Sequence, residues 1–340
     1  MKRRYLLAFL VVCILLCSLL PACQRPQKSY TAYAFDYFDT VSVITGYADS
    51  QKEFDAVAAD ILAQLEQYHR LYSIYEPFEG VDNLYTVNQS RSVTVDKRII
   101  DMLLYAVQMY EKTGGTVNIA MGSVLSVWHE YRTAGKENPE SAALPPMELL
   151  EAAAAHTDIT KLVIDAENST VTLLDPQMTL DVGAVAKGYA AEQIARYLEE
   201  KGITGYLLNI GGNVRAVGTK PDGSPWVTAV ENPNGEDYFA AVKLIGQAIV
   251  TSGSYQRYYT VDGKQYHHII DPATNMPAEG YLSVSVICPD SGLADALSTA
   301  LFCLSPEEGK ALIESIPDTE ALWITENGET FTSSGWNSYV

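Results

Sequence analysis

The chain has 340 residues, 47% of them hydrophobic and 19% charged, which is enough apolar material for a large core and too little charge for a disordered polymer. Its 23 basic and 42 acidic residues give a formal charge of -19, and an anionic surface of that size repels phosphate backbones, which excludes nucleic acid as a partner. At about 150 residues per domain the length allows one or two domains.

Lys2, Arg3 and Arg4 precede an apolar stretch from Tyr5 to Ala22, the charged and hydrophobic regions of an export signal. The stretch ends in Leu19-Leu20-Pro21-Ala22-Cys23, which resembles the lipobox of bacterial lipoproteins, where the cysteine is lipidated and becomes the new N-terminus. A plain signal peptide or an uncleaved anchor is the alternative. The expected organisation is a lipoprotein signal peptide over 1–22, a lipidated N-terminus and tether over 23–32 with lipid on Cys23, and one domain over 33–340. The protein is then expected on the extracytoplasmic face of the bacterial membrane, held by its lipid. Loss of the signal removes three bases and no acid, leaving 20 basic against 42 acidic residues, a net charge of -22. Of five cysteines, Cys13 and Cys17 leave with the signal, and Cys288 and Cys303 remain in apolar sequence as buried thiols, with a disulfide between them the alternative. No Cys or His spacing matches a zinc site.

The first expected element is a strand over Tyr33–Gly46, followed by a helix over Glu53–Tyr72 with Phe54, Val57, Ala58, Ile61, Leu62, Leu65 and Tyr68 at helical spacing. A second helix, Lys97–Lys112, stops at Gly114-Gly115, and a third covers about Pro146–His156, before short strands near Lys161–Asp165 and Thr170–Leu174. Met178–Val182 reads as a strand running through a glycine turn into a helix, Ala184–Lys201, closed by Gly202. From Tyr206 to Cys288 almost everything is strand, punctuated by Gly-Gly, Pro-Asp-Gly, Asn-Pro-Asn-Gly and Asp-Gly turns that suit antiparallel hairpins. A helix over Leu293–Leu304 and a final helix and hairpin complete the chain. Helices early and strands late predict an α+β fold, one domain with a mostly antiparallel sheet and flanking helices.

Three segments carry candidate chemistry. In Leu180-Asp181-Val182-Gly183-Ala184-Val185-Ala186-Lys187-Gly188-Tyr189 a lysine enters the first turns of a helix, where the dipole disfavours a cation unless an anion is near. That suits a phosphate or nucleotide grip; a capping aspartate with a solvated lysine is the alternative. In Ala294-Asp295-Ala296-Leu297-Ser298-Thr299-Ala300, Asp295 and Thr299 share one face of an otherwise apolar helix. Two oxygens there suit a hard cation such as Mg²⁺, or Asp295 bonds a nearby loop. In Tyr266-His267-His268-Ile269-Ile270-Asp271-Pro272 adjacent strand histidines face opposite sides, so at most one serves a given site, as a general base or as plain surface. Gly211-Gly212 and Thr251-Ser252-Gly253-Ser254-Tyr255 could approach a ligand closely, or simply turn hairpins. No P-loop, dinucleotide fingerprint or serine-hydrolase elbow is found.

Taken together and in order, these segments resemble the ApbE family, the FAD:protein FMN transferases, over about Tyr33 to Val340. The resemblance also draws on Phe38-Asp39-Thr40, Ser73-Ile74-Tyr75, Gly115 to Gly122 leading to Trp128, and Asn209-Ile210-Gly211-Gly212. It implies a T-fold-like domain and a Mg²⁺-dependent enzyme that joins the FMN half of FAD to a threonine or serine hydroxyl of a flavoprotein and releases AMP. Carried over by position, Ala184 (through its carbonyl), Asp295 and Thr299 would hold Mg²⁺. Phe38, Tyr75, Thr116, Val117, Asn118, Asp181, Lys187 and Ile269 would lie along FAD, and His268 takes the position of the catalytic histidine, beside Asp295. The family usually has Asp where this chain has Asn118. The acceptor implied by family and tether is a flavoprotein of a membrane redox chain. Rival readings are an FAD pyrophosphatase with water as acceptor, a flavin-binding lipoprotein without turnover, and a nutrient-binding lipoprotein, which would need two comparable lobes.

Overall fold

The computed structural model describes residues 27–233, 235 and 237–340; the expected signal peptide and Cys23 lie outside the described residues. No helix among the described residues is long and apolar enough to cross a membrane.

The frame is one eight-stranded sheet in the spatial order Lys28–Tyr37, Thr40–Ala48, Tyr206–Ile210, Asn213–Val217, Ala248–Gly253, Tyr281–Cys288, Glu320–Thr325 and Thr330–Thr332. Every neighbouring pair is antiparallel. Because side chains alternate faces along a strand, each inner strand feeds two cores. Leu208, Ile210, Val250, Val284 and Val286 face a helix layer built from Gln51–Tyr72, Ala186–Glu200 and Ser291–Cys303. Val214, Ala216, Ile249, Ile287, Leu322 and Ile324 face a hairpin of Trp226–Glu231 and Tyr238–Leu244. A third cluster, with Val124, Trp128, Leu150, Tyr259 and Val261, packs the Gly122–Glu137 helix against the Tyr258–Val261 and Lys264–His267 hairpin.

The α+β architecture, the antiparallel sheet and the single domain agree with expectation, and four local expectations do not. The segment Tyr33–Gly46 is not one strand: Tyr37 pairs with Thr40 across a two-residue turn in which Phe38 and Asp39 have φ of 55° and 51°. Both central residues are left-handed, as a type I′ turn requires, without the Asn-Gly pair that would have announced it. Residues 28–32, expected in the tether, belong to the sheet: Lys28 to Ala32 pair with Ala48 to Ile44, and Tyr30 stacks on Phe54 with ring centroids 5.6 Å apart. The stretch Met178–Val182 is extended but joins no sheet. Its polar groups bond elsewhere: Asn88 brackets Leu180 with bonds of 2.8 and 3.0 Å, Asp181 N–H donates to the Ile119 carbonyl at 2.9 Å, and Arg91 reaches the Met178 carbonyl. Finally, two helices arise where none was expected, Leu84–Ser90 and Gly122–Glu137. Gly122 reads as a helix breaker, yet it is there because a Cβ would lie 2.4 Å from the Thr179 carbonyl oxygen.

Candidate active site

The sheet, the helix layer and the Tyr258–His267 hairpin enclose a cavity of about 330 Å³, within the range of small-molecule sites. Asp295 sits at its floor, 4% exposed, one turn into the Ser291–Cys303 helix, which Asp290 caps by accepting the Leu293 N–H at 2.9 Å. Gly188 N–H donates to Asp295 Oδ2 at 2.8 Å, while Oδ1 faces Lys187 Nζ at 4.0 Å. Thr299 Oγ1 donates to the Asp295 backbone carbonyl at 3.3 Å, and Thr299 lines the cavity with Asp295. Burial raises Asp295 above the usual carboxylate range, against Lys187, the Gly188 N–H and the Asn213 side chain.

The glycine turn that enters the Ala186–Glu200 helix frees one more oxygen. The first helical bond there runs from Tyr189 N–H to the Val185 carbonyl at 2.9 Å. Gly188 N–H, one position earlier, goes to Asp295, so the Ala184 carbonyl has lost its usual i+4 donor. Ala184, Asp295 and Thr299 all line the cavity, a carbonyl, a carboxylate and a hydroxyl. Among the described residues no group of three or more His, Cys, Asp and Glu could hold a metal. A set with one carboxylate and neutral oxygens suits a hard cation that completes its shell with phosphate oxygens and water, and it does not suit zinc.

The opposite wall holds the histidine. The Lys264–His267 strand ends at His267, and this separates the two imidazoles. His267 is buried, its Nε2–H donating to the Ala278 carbonyl at 2.7 Å and its Nδ1 accepting from Ile269 N–H at 3.2 Å, so it is structural. His268 faces the cavity, and among the described residues its buried Nδ1 has no hydrogen-bond partner. Burial, with Arg257, His267, Arg132 and Lys187, lowers its pKa to about 3. It is therefore neutral near pH 7, a free acceptor surrounded by cations.

Between these walls Asp181, Lys187, Tyr75, Thr116, Val117, Asn118 and Ile269 line the same cavity. Asp181 accepts the Gly183 N–H at 2.8 Å within the turn, but the helix N-cap is Val185, which has no side-chain cap bond, so Asp181 does not cap the helix; burial raises its pKa. Lys187 points at Asp295 rather than to open solvent. The Tyr75 and His129 rings lie 5.5 Å apart at 34°. Asn118 explains its departure from the usual aspartate. Its Oδ1 accepts from Ala120 N–H and its Nδ2 donates to the Thr157 carbonyl, both at 2.9 Å, and a carboxylate could not make the second bond. Phe38 is the exception. It does not line the cavity; the left-handed turn places its ring edge-on to His69 at 5.7 Å and leaves Asp39 and Thr40 at the wall.

Sequence reasoning missed the cavity's arginines, Arg132 and Arg257. Arg132 belongs to a stripe of Leu125, Trp128, His129 and Arg132 on the unexpected Gly122–Glu137 helix, whose spacing of three and four was the available signal. Arg257 follows the Ala248–Gly253 strand, whose last three residues were expected in a turn, and donates to the Asp39 carbonyl at 3.3 Å; no periodicity marks it.

Known proteins share this arrangement. The ApbE family model matches residues 38–323. The FAD:protein FMN transferase of Escherichia coli strain K12 is 33% identical over 279 residues, which cover 80% of this chain and 77% of that one. The protein of the same name from Treponema pallidum is 31% identical over 299 residues, 83% of this chain and 81% of that one. The crystal structure of the ApbE protein of Thermotoga maritima superposes with a TM-score of 0.79 at 30% identity, covering 92% of this chain and 99% of that one. The flavin transferase ApbE from Vibrio cholerae gives 0.74 at 26% identity, over 93% and 100%. With the family model matching most of the chain, the glycine turn and the Asp295 helix included, this chain belongs to the ApbE family and is a transferase.

Proposed function

We propose that the protein is a Mg²⁺-dependent FAD:protein FMN transferase that attaches FMN through a phosphoester to a threonine or serine hydroxyl of an acceptor flavoprotein and releases AMP. The observation that carries this reading is that an unpartnered, neutral imidazole and a half-satisfied buried carboxylate open into one cavity. Binding alone needs no base, so a carrier leaves His268 without a purpose.

Phosphoryl transfer asks a protein mainly to position reactants and neutralise charge. Asp295, Thr299 and the Ala184 carbonyl would hold Mg²⁺. When bound, that ion supplies charge neutralisation to the pyrophosphate and to the departing phosphate of AMP. Lys187 adds a cation at the same corner, and Arg132 and Arg257 add two more across the cavity. Asp181 is placed to accept a hydroxyl of the ribityl or ribose part. His268 takes the proton of the acceptor hydroxyl as its oxygen bonds the FMN phosphorus, and the bond to the AMP phosphate breaks. Burial is the first cause of the lowered His268 pKa, and Arg257, His267, Arg132 and Lys187 add to it. A bound pyrophosphate would offset the share that comes from the arginines and the lysine, and so move His268 upward.

The basic, apolar and cysteine-terminated leader supports export and lipid anchoring through Cys23, with an acceptor in an extracytoplasmic membrane redox chain. Incubation with FAD and Mg²⁺, with and without an acceptor flavoprotein, followed by nucleotide chromatography, tests the reading. AMP released only with acceptor supports transfer. FMN and AMP released without acceptor support the pyrophosphatase, and intact FAD under both conditions supports the carrier.

A further inference from the structure

Among the described residues, the most deeply buried ion pair lies outside the cavity and has no part in the chemistry above. Glu192 and Arg215 are 3% and 4% exposed, with Arg215 Nε 2.9 Å from Glu192 Oε2 and Nη2 3.4 Å from Oε1. Arg215 also reaches Glu199 at 3.2 Å and the Ala216 carbonyl, and Arg196 Nε adds a bond of 3.1 Å to Glu192 Oε1. Burial works to raise Glu192, and Arg215, Ser291 N–H and Arg196 outweigh it and hold the group below the usual carboxylate range. Two buried charges are a poor device for stability, since a well-packed apolar pair of similar size does as well or better. Their placement suggests another purpose.

Glu192 lies one turn after Gly188 on the Ala186–Glu200 helix, and Ser291 lies one turn before Asp295 on its neighbour. The two helices are therefore joined by two bonds in register: Gly188 N–H to Asp295 Oδ2 at 2.8 Å, and Ser291 N–H to Glu192 Oε2 at 2.9 Å. The strand beneath repeats the spacing. Asn213 and Arg215, two residues apart, share the face opposite Val214 and Ala216, which belong to the hairpin-side core. Asn213 and Asp295 both line the cavity, and Arg215 meets Glu192 one layer away. A slide of either helix along the other would break both layers together.

We infer that Glu192 and Arg215 are positioning residues that set the register of the two helices and the strand, and so aim the Asp295 carboxylate and hold its Oδ1 free for the divalent cation. The inference rests on Asp295 as a metal ligand. Groups that orient a ligand in this way are worth about 10–100-fold in metal affinity.

The test replaces the pair by apolar residues of similar size, Glu192→Leu with Arg215→Met, in protein saturated with FAD. Urea denaturation reads the fold, and Mn²⁺ titration followed by EPR reads the site directly. The expected result is a denaturation midpoint no lower than wild type, with Mn²⁺ affinity reduced about 10–100-fold. Unchanged Mn²⁺ affinity in that folded variant overturns the inference. If the double variant does not fold, Glu192→Gln decides, because it keeps an acceptor for Ser291 N–H and removes the charge that orders Arg215. A loss of about 10-fold supports the proposal, and wild-type affinity overturns it. Asp295→Ala run in parallel separates the premise from the inference: wild-type Mn²⁺ binding there defeats the metal site itself.

Discussion

Gly188→Ala is a sharp probe of how the site is built, because the ordinary expectation and the structural one differ in sign. In an unobstructed helix interior, alanine for glycine gains about 1 kcal/mol. At Gly188 the new Cβ would lie 2.4 Å from Asp295 Cβ and 2.4 Å from the Ser291 carbonyl oxygen. Neither neighbour is the end of a flexible side chain. Ordinary contact begins near 3.4 Å, so the two helices must part by about 1.0 Å, the difference of 3.4 and 2.4. Overpacking of this kind costs about 1–3 kcal/mol. Separation also stretches the 2.8 Å bond from Gly188 N–H to Asp295 Oδ2, a bond to a charged acceptor worth about 1.5–3 kcal/mol. Together these outweigh the propensity gain, and the variant should be less stable by about 1–3 kcal/mol. Urea denaturation at neutral pH measures that loss, and a parallel assay reads the Mg²⁺ concentration for half-maximal transfer, which should rise at least about 10-fold. A variant more stable than wild type by about 1 kcal/mol with the same Mg²⁺ requirement would refute the close helix contact and the aim it gives Asp295.

Asp295→Asn should abolish transfer, by at least about 100-fold, yet raise the denaturation midpoint in EDTA at pH 7. Burial raises the folded pKa of Asp295 above its unfolded value, so its stabilising contribution exists below the unfolded pKa and is lost as pH rises through the folded one. The gain from Asn should therefore shrink toward pH 4, and a lower midpoint at pH 7 would contradict the burial. His268→Gln should cut kcat about 10²–10⁴-fold with little change in the KM for FAD. With a folded pKa near 3 against an ordinary 6.5, His268 takes up its proton more readily unfolded, so stability falls as pH drops through that window. The glutamine variant should show a flatter acid limb there, and an unaltered limb counts against a neutral, buried imidazole. Cys288 and Cys303 are free, but only Cys288 is fully buried, and burial pushes its thiol up to about 12, so a thiol reagent should react with Cys288 only after denaturant is added. Labelling of Cys288 in the native protein, mapped by peptide mass, would contradict its burial.

Much of the site was readable because its residues sit in short segments whose local chemistry is unusual. A lysine opening a helix after a glycine turn and an aspartate on an apolar helix both announce an unmet electrostatic need, and the structure joins them at 4.0 Å. Asn118 and Phe38 show where position along the chain misleads. The first is tied to the Thr157 carbonyl, and the ring of the second turns away because its backbone is left-handed. Arg132 was hidden by a glycine that packs rather than breaks, since Gly122 serves a close approach to Thr179. Met178–Val182 looked like a strand because its residues are apolar and extended, and only the distant Asn88 decides that its bonds go to a side chain instead of a ladder. Such outcomes depend on residues far apart in sequence, which no local pattern records.

The most direct test of the central claim is the mass of an acceptor flavoprotein after incubation with residues 24–340, FAD and Mg²⁺. The account predicts an acceptor heavier by one FMN residue, located by peptide mapping at a threonine or serine, and absent both with EDTA and with Asp295→Ala. An unmodified acceptor alongside intact FAD, or modification that persists in EDTA and in Asp295→Ala, would contradict it.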